Sequence, residues 1–379
     1  MRFQLAGAAF LLFSGTLAAQ VADSGAFVVR LGADTIVVEK FKRTADRLEG
    51  SFLNRATART ALYEYVVTFG ADGALQKAEM NTRPASSPEA RAQRFVANWA
   101  ADSVTIERTT GDSTRTQKVG AATPIYPFLL NSYALTEVLT RTARRTNAPV
   151  KATALFMGSA ALRDVEVAPA GADSMKITFL GSSSVARVDA QGRVLGADAR
   201  ATTVKSVTER LPTVDFAALR VGFAGRPLGQ LSVRDTARAT IGGNALWVDY
   251  GRPMARGRKI FGDVVPWGAV WRTGANAATQ LHTPVDLVFG SVTVPAGTYT
   301  IWTVPATDGW TLIINRQTGQ WGTEYHVEQD LGRVPLDLRS LNPAVDQFTI
   351  AIESRGDVGG ILVLTWENTR ASASFNIVK

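Results

Sequence analysis

"TALYEYVVTFGADGALQKAEM", Thr60–Met80, reads as two strands joined by a tight turn. Asp72-Gly73 at its centre is the strongest short hairpin signal, because both positions accept the positive φ that a two-residue turn requires. Within it, Tyr65, Val67 and Phe69 fall on one side of the chain and Glu64, Val66 and Thr68 on the other. Side chains of a strand alternate with a period of two, so the pattern predicts a sheet with one well-buried face.

The same rhythm runs outward from this hairpin. "FVVRLGADTIVVEKFKRT", Phe27–Thr44, alternates on either side of Gly32-Ala33-Asp34, and Gly111-Asp112 and Gln191-Gly192 punctuate two further pairs. Two stretches interrupt the strands. Ser87–Ala101 is read as starting a helix, with Ser87 as cap and Pro88 in the first turn. Asn131–Arg145 is the better helix. Asn131 or Ser132 caps it, Leu135, Val138, Leu139 and Thr142 form one stripe, and Arg141, Arg144 and Arg145 sit near the negative end of its dipole. Residues 21–208 are therefore expected to form a β-rich N-terminal domain, a large antiparallel sheet curved around one or two helices. Curved sheets of exported proteins sometimes hold a lipid in their concavity, an analogy that rests on fold alone.

Pro212, Gly222, Gly225 and Pro227 break the rhythm, which places a linker at 209–226, with a short helix over Val214–Leu219. Beyond it the strands return at short spacing, with turns expected at Gly242-Gly243, Pro295-Ala296-Gly297, Asp308-Gly309 and Gly359-Gly360. Residues 227–379 read as a C-terminal β-sandwich or jelly-roll-like domain. The fold class is mainly β throughout.

Composition narrows the partners. The 379 residues are 46% hydrophobic and 20% charged, which suits packed domains rather than disorder. The formal charge of +8 is spread thinly, with no run of five or six like charges, so no nucleic-acid arm is expected. Met1-Arg2, the apolar run Leu5–Phe13 and the small residues through Ala19 read as a secretory signal peptide, residues 1–20, and imply a periplasmic or secreted protein. The apolar run is too short to span a bilayer, and no later stretch is longer, so no transmembrane segment is expected. Cysteine is absent, which excludes a thiol nucleophile, a thiolate metal site and a lipoprotein anchor on cysteine.

The C-terminal domain carries "DYGRPMARGRKIFGDVVPWGAVWRTGANAATQL" (Asp249–Leu281), "VPAGTYTIWTVP" (Val294–Pro305), Trp310 with "IIN" and "GQWG", and "LTWENTR" (Leu364–Arg370), in that order. These blocks resemble domain of unknown function 2911, a family of exported bacterial proteins, over about residues 227–379. The resemblance implies export and a β-rich domain, and supplies neither a catalytic residue nor a cofactor. Nothing familiar marks the N-terminal domain.

Within the first block, Gly257–Leu281 collects cations, tryptophans and glycines. Arg252, Arg256, Arg258 and Lys259 fall close together, followed by Trp267, Trp271, Arg272 and Asn276, and all tryptophans but Trp99 lie from Trp247 onward. Glycine-rich loops free backbone N–H groups, and arginine forks hold carboxylate or phosphate bidentately. Aromatic faces beside amides and guanidinium groups suit sugar rings. The expected ligand is carbohydrate-like or anionic, held by Arg258, Lys259, Trp271, Arg272 and Asn276, with Trp321 lining the site. A plainer reading has the tryptophans in the core, Arg272 tied to Asp249, Asp263 or Glu367, and Asn276 capping a turn.

Other chemistry is weaker. His282, Glu324 and His326 would make a two-histidine, one-carboxylate metal set, but nothing in their spacing makes them meet. Asp263, Glu324, Asp330 and Glu367 are the carboxylates near the loop that a glycoside hydrolase would need, at a separation the sequence does not give. Three readings stand. A non-catalytic, envelope-associated binding module leads, with no metal or cofactor; a polysaccharide hydrolase and a purely structural or protein-interaction domain are the rivals. The last predicts that the Arg/Trp loop lies between the two domains.

Overall fold

The computed structural model describes residues 23–179, 182–202 and 204–378. The expected signal peptide, residues 1–20, lies outside them.

Fifteen strands form the N-terminal sheet. They are β1 (Asp23–Leu31), β2 (Asp34–Arg43), β3 (Arg47–Asn54), β4 (Ala61–Phe69), β5 (Leu75–Pro84), β6 (Gln93–Trp99), β7 (Val104–Thr110) and β8 (Ser113–Val119), then β9 (Ile125–Phe128), β10 (Val150–Phe156), β11 (Leu162–Gly171), β12 (Ser174–Phe179), β13 (Ser182–Val188), β14 (Val194–Asp198) and β15 (Val207–Leu211). Their spatial order is β8 to β1, then β15 to β9. Two meanders thus meet where β1 pairs with β15, Arg30 opposite Val207. Every pair is antiparallel except β9–β10, which α1 (Tyr133–Thr146) connects, as a parallel pair requires. The sheet curls back on itself: Trp99 Nε1 on β6, third from one edge, donates to the Ile125 carbonyl on β9, the other edge, at 2.9 Å. The sheet is an unclosed barrel, and α1 lies in it.

The hairpin that opened the reading is present, with Leu62, Tyr65, Val67 and Phe69 buried. Helix α1 is capped by Ser132, whose Oγ accepts from Leu135 N, and buries Leu135, Val138 and Leu139 as the stripe predicts. It also buries Glu137, which the stripe does not predict. Ser87–Ala101 is not a helix. Phe95, Val96 and Ala97 are buried in β6, and pairing with β5 and β7 overrides the local cap signal.

The stretch 209–226 holds the end of β15 and α2 (Phe216–Ala224), which starts two residues later than expected, after Asp215. Phe216, Leu219 and Phe223 of α2 pack against Leu53, Leu62 and Ala85 of the N-terminal sheet. Leu228 and Leu231 also pack against the N-terminal core, so the chain leaves that sheet only after about residue 231.

The C-terminal sheet has nine strands: β16 (Ser232–Ile241), β17 (Asn244–Pro253), β18 (Thr279–Thr283), β19 (Leu287–Phe289), β20 (Val292–Val294), β21 (Gly297–Val304), β22 (Trp310–Asn315), β23 (Asp330–Ser354) and β24 (Gly359–Ile377). The order is β16-β17-β18-β21-β22-β23-β24-β19-β20. The long β23 pairs with β22 over its start, Asp330 to Leu336, and with β24 from Asp337 to Ser354, so one half of the sheet folds over the other. Leu246, Val248, Ile301 and Leu312 from one half meet Phe348, Ile350, Leu364 and Trp366 from the other in one core, as a sandwich requires. Gly359-Gly360 is not a turn. Both residues belong to β24, where a Cβ on Gly360 would meet the Phe375 ring at 2.7 Å. The turn sits before them, at Gly356, with φ +76°.

Candidate functional site

The loop between β17 and β18, residues 254–278, crosses one end of the sandwich and reaches the N-terminal sheet. Its first part is a clamp. Arg256 Nη1 meets Asp34 Oδ2 at 2.6 Å, with the Arg256 side chain 6% exposed. Ala33 N donates to the Arg256 carbonyl at 3.2 Å. Gly32, at φ +60°, lies so close that a Cβ there would collide with the Arg256 carbonyl and sit 2.9 Å from Cγ of Arg258. The β1–β2 turn is thus docked on this loop, and glycine permits both the positive φ and the close approach.

Arg258 is largely committed to the loop itself. Its Nε and Nη2 donate to the carbonyls of Ala255 and Met254 at 2.9 and 2.7 Å. Burial, and then the charge of Arg256, push its pKa below the usual guanidinium value. Glu367 accepts from the backbone N–H groups of Ile260 and Phe261 at 3.0 and 3.3 Å and pins the next turn. Lys259 between them is exposed.

Trp271 is packed rather than displayed. Its ring stacks on Trp366 at 5.7 Å and meets Phe348 edge-on at 5.0 Å, and its backbone bridges Thr303. Trp267 is 42% exposed and lies over Phe261 at 6.0 Å. Trp321 is 40% exposed on the neighbouring loop, beside Ala277, to which it bridges. Asn276 is exposed at φ +64°, its carbonyl accepting from Gly322 N at 3.0 Å and its Nδ2 3.5 Å from the Ser232 carbonyl. That is a turn-forming role.

Although Arg256 Nε is likewise buried without a partner, Arg272, unlike Arg256 and Arg258, makes no side-chain hydrogen bond or ion pair among the described residues. Its stem lies against Gly322, where a Cβ would collide with Cδ. Its Nε is buried with no hydrogen-bond partner among the described residues. Burial alone lowers its pKa, with no carboxylate opposing. None of the tethers expected from sequence is made: Asp249 takes Arg234 at 2.9 Å, Glu367 takes the backbone, and Asp263 is exposed.

Sequence reasoning missed Lys205. It lies just before β15, which pairs Val207 with Arg30, so it sits beside the β1–β2 turn that the loop clamps. Its backbone is left-handed, φ +58°, which lysine rarely adopts. Its pKa falls through burial and then through the charges of Arg272 and Arg258, with Asp263 opposing. Lys205 thus feels the charges of Arg272 and Arg258 across the seam, offset in part by Asp263.

The rival chemistries are not assembled in this way. His282 stacks on Trp247 at 5.0 Å and meets Thr298 Oγ1 at 3.0 Å, while His326 meets Glu328 at 3.0 Å. Among the described residues no group of three or more histidines and acids could hold a metal. Asp330 accepts from Asn315, Tyr325 and Arg333, and the Tyr325 hydroxyl is pushed up to about 12, first by burial and then by Asp330. Glu324 is exposed. No described helix is long and apolar enough to cross a membrane.

No curated protein matches the chain. Among solved structures, a DUF1089 family protein from Pseudomonas aeruginosa is 14% identical, over 43% of this chain and 90% of its own, with a TM-score of 0.33. A GH43 glycoside hydrolase, engineered to show both endo-xylanase and exo-arabinofuranosidase activity, is 10% identical over 96% of this chain and 81% of its own, with a TM-score of 0.16. Both are too distant in shape to bear on the site. The C-terminal sheet with its clamp loop is where a family is found: residues 232–375 match the proteins of unknown function DUF2911, and the N-terminal sheet matches no family.

Proposed function

We propose that the protein is an exported, non-catalytic binding module that takes an anionic group, carboxylate or phosphate, at Arg272. The observation that carries this is the buried Nε of Arg272, which has neither a carbonyl nor a carboxylate to receive it. A buried guanidinium N–H without an acceptor costs about 1–3 kcal/mol, which an anion reaching it would offset. Asn276 and Trp321 rim the same place, next to the Gly322 on which Arg272 lies. Export rests on the signal-like start of the sequence.

The test is a thermal titration of the full chain with acetate and with inorganic phosphate, set beside Arg272→Met. An anion that binds only the folded state at about 100 times its Kd stabilises by about 2.7 kcal/mol. Wild type should be stabilised by at least one of the two anions, and Arg272→Met by neither. Equal responses of the two proteins would leave the loop as a scaffold, the role that Arg256 and Arg258 already fill at the seam.

A further inference from the structure

Trp302 of β21 is a second buried donor without an acceptor, and it stands next to Arg272. It is 2% exposed, yet its Nε1 has no hydrogen-bond partner among the described residues. Two other indoles packed in the fold are satisfied: Trp99 and Trp366 give their Nε1–H to the carbonyls of Ile125 and Asp346 at 2.9 and 3.0 Å. Native proteins keep few buried N–H groups unmet, so one such group beside another calls for a common cause.

Strand register makes the two residues neighbours. Trp271 of the loop bridges Thr303 of β21 in the antiparallel sense, Trp271 N donating at 2.7 Å and Thr303 N at 2.9 Å. One step further along each chain, Arg272 stands opposite Trp302. Trp271 faces the sandwich core, against Trp366 and Phe348, and Thr273 reaches Thr303 Oγ1 at 3.2 Å on that same side. By strand alternation Arg272 falls on the other face, where Trp302 packs with Ala278, Ile313 and Tyr325. Directly opposed side chains on one face stand about 5 Å apart at Cβ. One segment covers both residues. The Arg272 stem lies against Gly322, and the Tyr325 ring meets the Trp302 ring at 5.2 Å. Ala278 N donates to the Gln320 carbonyl at 3.2 Å and ties that segment down.

Resting on the anion reading above, we infer that the bound group is a carboxylate, one oxygen of which accepts from both Arg272 Nε and Trp302 Nε1. Trp302 is then the residue that sets the preference among anions. The pair offers one positive charge and one neutral N–H. That matches a monoanion, whereas a phosphate dianion would leave a charge uncompensated beside an apolar cluster, where a lone charge is costly. Two N–H donors also suit a single carboxylate oxygen, which has two lone pairs to offer them. A phosphoryl group would bring three charged oxygens to the same two donors and leave most of its acceptors unmet. Both nitrogens are buried, so the bonds they give are weakly screened by water. Arg272 as a whole is only part-buried, and its open side is the way in.

The experiment is calorimetric titration of the full chain at pH 8 and low salt with acetate and with inorganic phosphate. Wild type is compared with Trp302→Phe, which deletes the donor and keeps an aromatic ring. Melting curves without ligand check that the variant is folded. In parallel, the indole N–H signals of isotope-labelled wild type are followed by nuclear magnetic resonance, a readout that does not depend on the variant. Acetate should bind at least about tenfold more tightly than phosphate, and Trp302→Phe should weaken acetate binding by about tenfold, or 1.4 kcal/mol. Acetate should also shift an indole N–H signal of wild type. Phosphate binding as tightly as acetate would overturn the carboxylate and leave the anion site standing. Acetate affinity unchanged in a folded Trp302→Phe, or no indole signal moving as acetate saturates wild type, would overturn the shared donor and leave an ordered water as the partner of Trp302. If neither anion binds wild type, the anion reading falls and this inference with it.

Discussion

Arg272 works against the stability of the sheet that holds it. Its stem packs well on Gly322, but its Nε is buried with no partner. Replacing such a cation by an apolar side chain of similar length keeps the packing and removes the desolvation cost. Arg272→Met should therefore be as stable as wild type or more so, by up to about 2 kcal/mol in ligand-free buffer, read from chemical denaturation. A loss of more than about 1 kcal/mol would mean that Arg272 has a structural partner in solution and would weaken its assignment as a binding group. The sequence pointed at this residue for a sound reason, since glycines and arginines in one irregular stretch mark a loop built around cations. It gave no way to tell Arg256 and Arg258, which tie the loop down, from Arg272, which does not. That distinction depends on which carbonyls and acids each head reaches. Lys205 was invisible for the same reason: its neighbours are distant in sequence and are brought close only by the β1–β15 register.

Helix α1 is held in the unclosed barrel by charge as well as by its apolar stripe. Glu39 of β2 is fully buried at the start of α1. One oxygen accepts from Tyr65 Oη at 2.6 Å and Ser132 Oγ at 2.5 Å, the other from the backbone N–H groups of Tyr133 and Ala134 at 2.9 and 3.0 Å. Burial raises its pKa from the ordinary 4.5, and the four donors oppose that shift without cancelling it. A carboxyl with a raised folded pKa binds more protons folded than unfolded, so its contribution is full below the unfolded value and is lost as pH rises through the folded one. Glu39→Gln can keep the arrangement, its carbonyl facing the two N–H groups and its amide the two hydroxyls. Between about pH 4 and 7, wild type should lose stability relative to Glu39→Gln, measured by urea denaturation across the range. The opposite slope would show that the four hydrogen bonds outweigh burial. Glu39 also illustrates what could be read in advance. Period-two alternation and the Ser132 cap were legible because they are local. The buried charges were not: Arg210 turns inward from β15 to meet Glu137 at 2.5 Å and Asp23 at 2.7 Å, so the last three residues of β15 show no apolar face and fall inside the linker expected from Pro212 and the glycines beyond it. Ser87–Ala101 failed in the other direction, a good local cap overruled by two neighbouring strands.

Two sheets with separate cores share one chain here, and what joins them is small and polar. The crossing runs along Arg55, whose carbonyl accepts from Leu228 N at 2.7 Å while its guanidinium donates to the carbonyls of Arg226 and Thr35 at 2.9 and 2.8 Å. It continues at the β1–β2 turn, where Asp34 meets Arg256. Arg256 is almost wholly buried, so removing Asp34 leaves an uncompensated charge in the seam rather than merely deleting a surface pair. Asp34 is itself about a third exposed, which places the cost of Asp34→Ala near the lower end for broken buried pairs, about 3 kcal/mol. Adding Arg256→Met should recover most of that loss, because the stranded charge is then gone. All tryptophans but Trp99 belong to the C-terminal sheet, so indole fluorescence follows that sheet while far-ultraviolet dichroism follows both. If the seam couples the two cores, the two signals should coincide in wild type and separate in Asp34→Ala, with the double variant intermediate or restored. Signals already separate in wild type would mean that the sheets unfold independently.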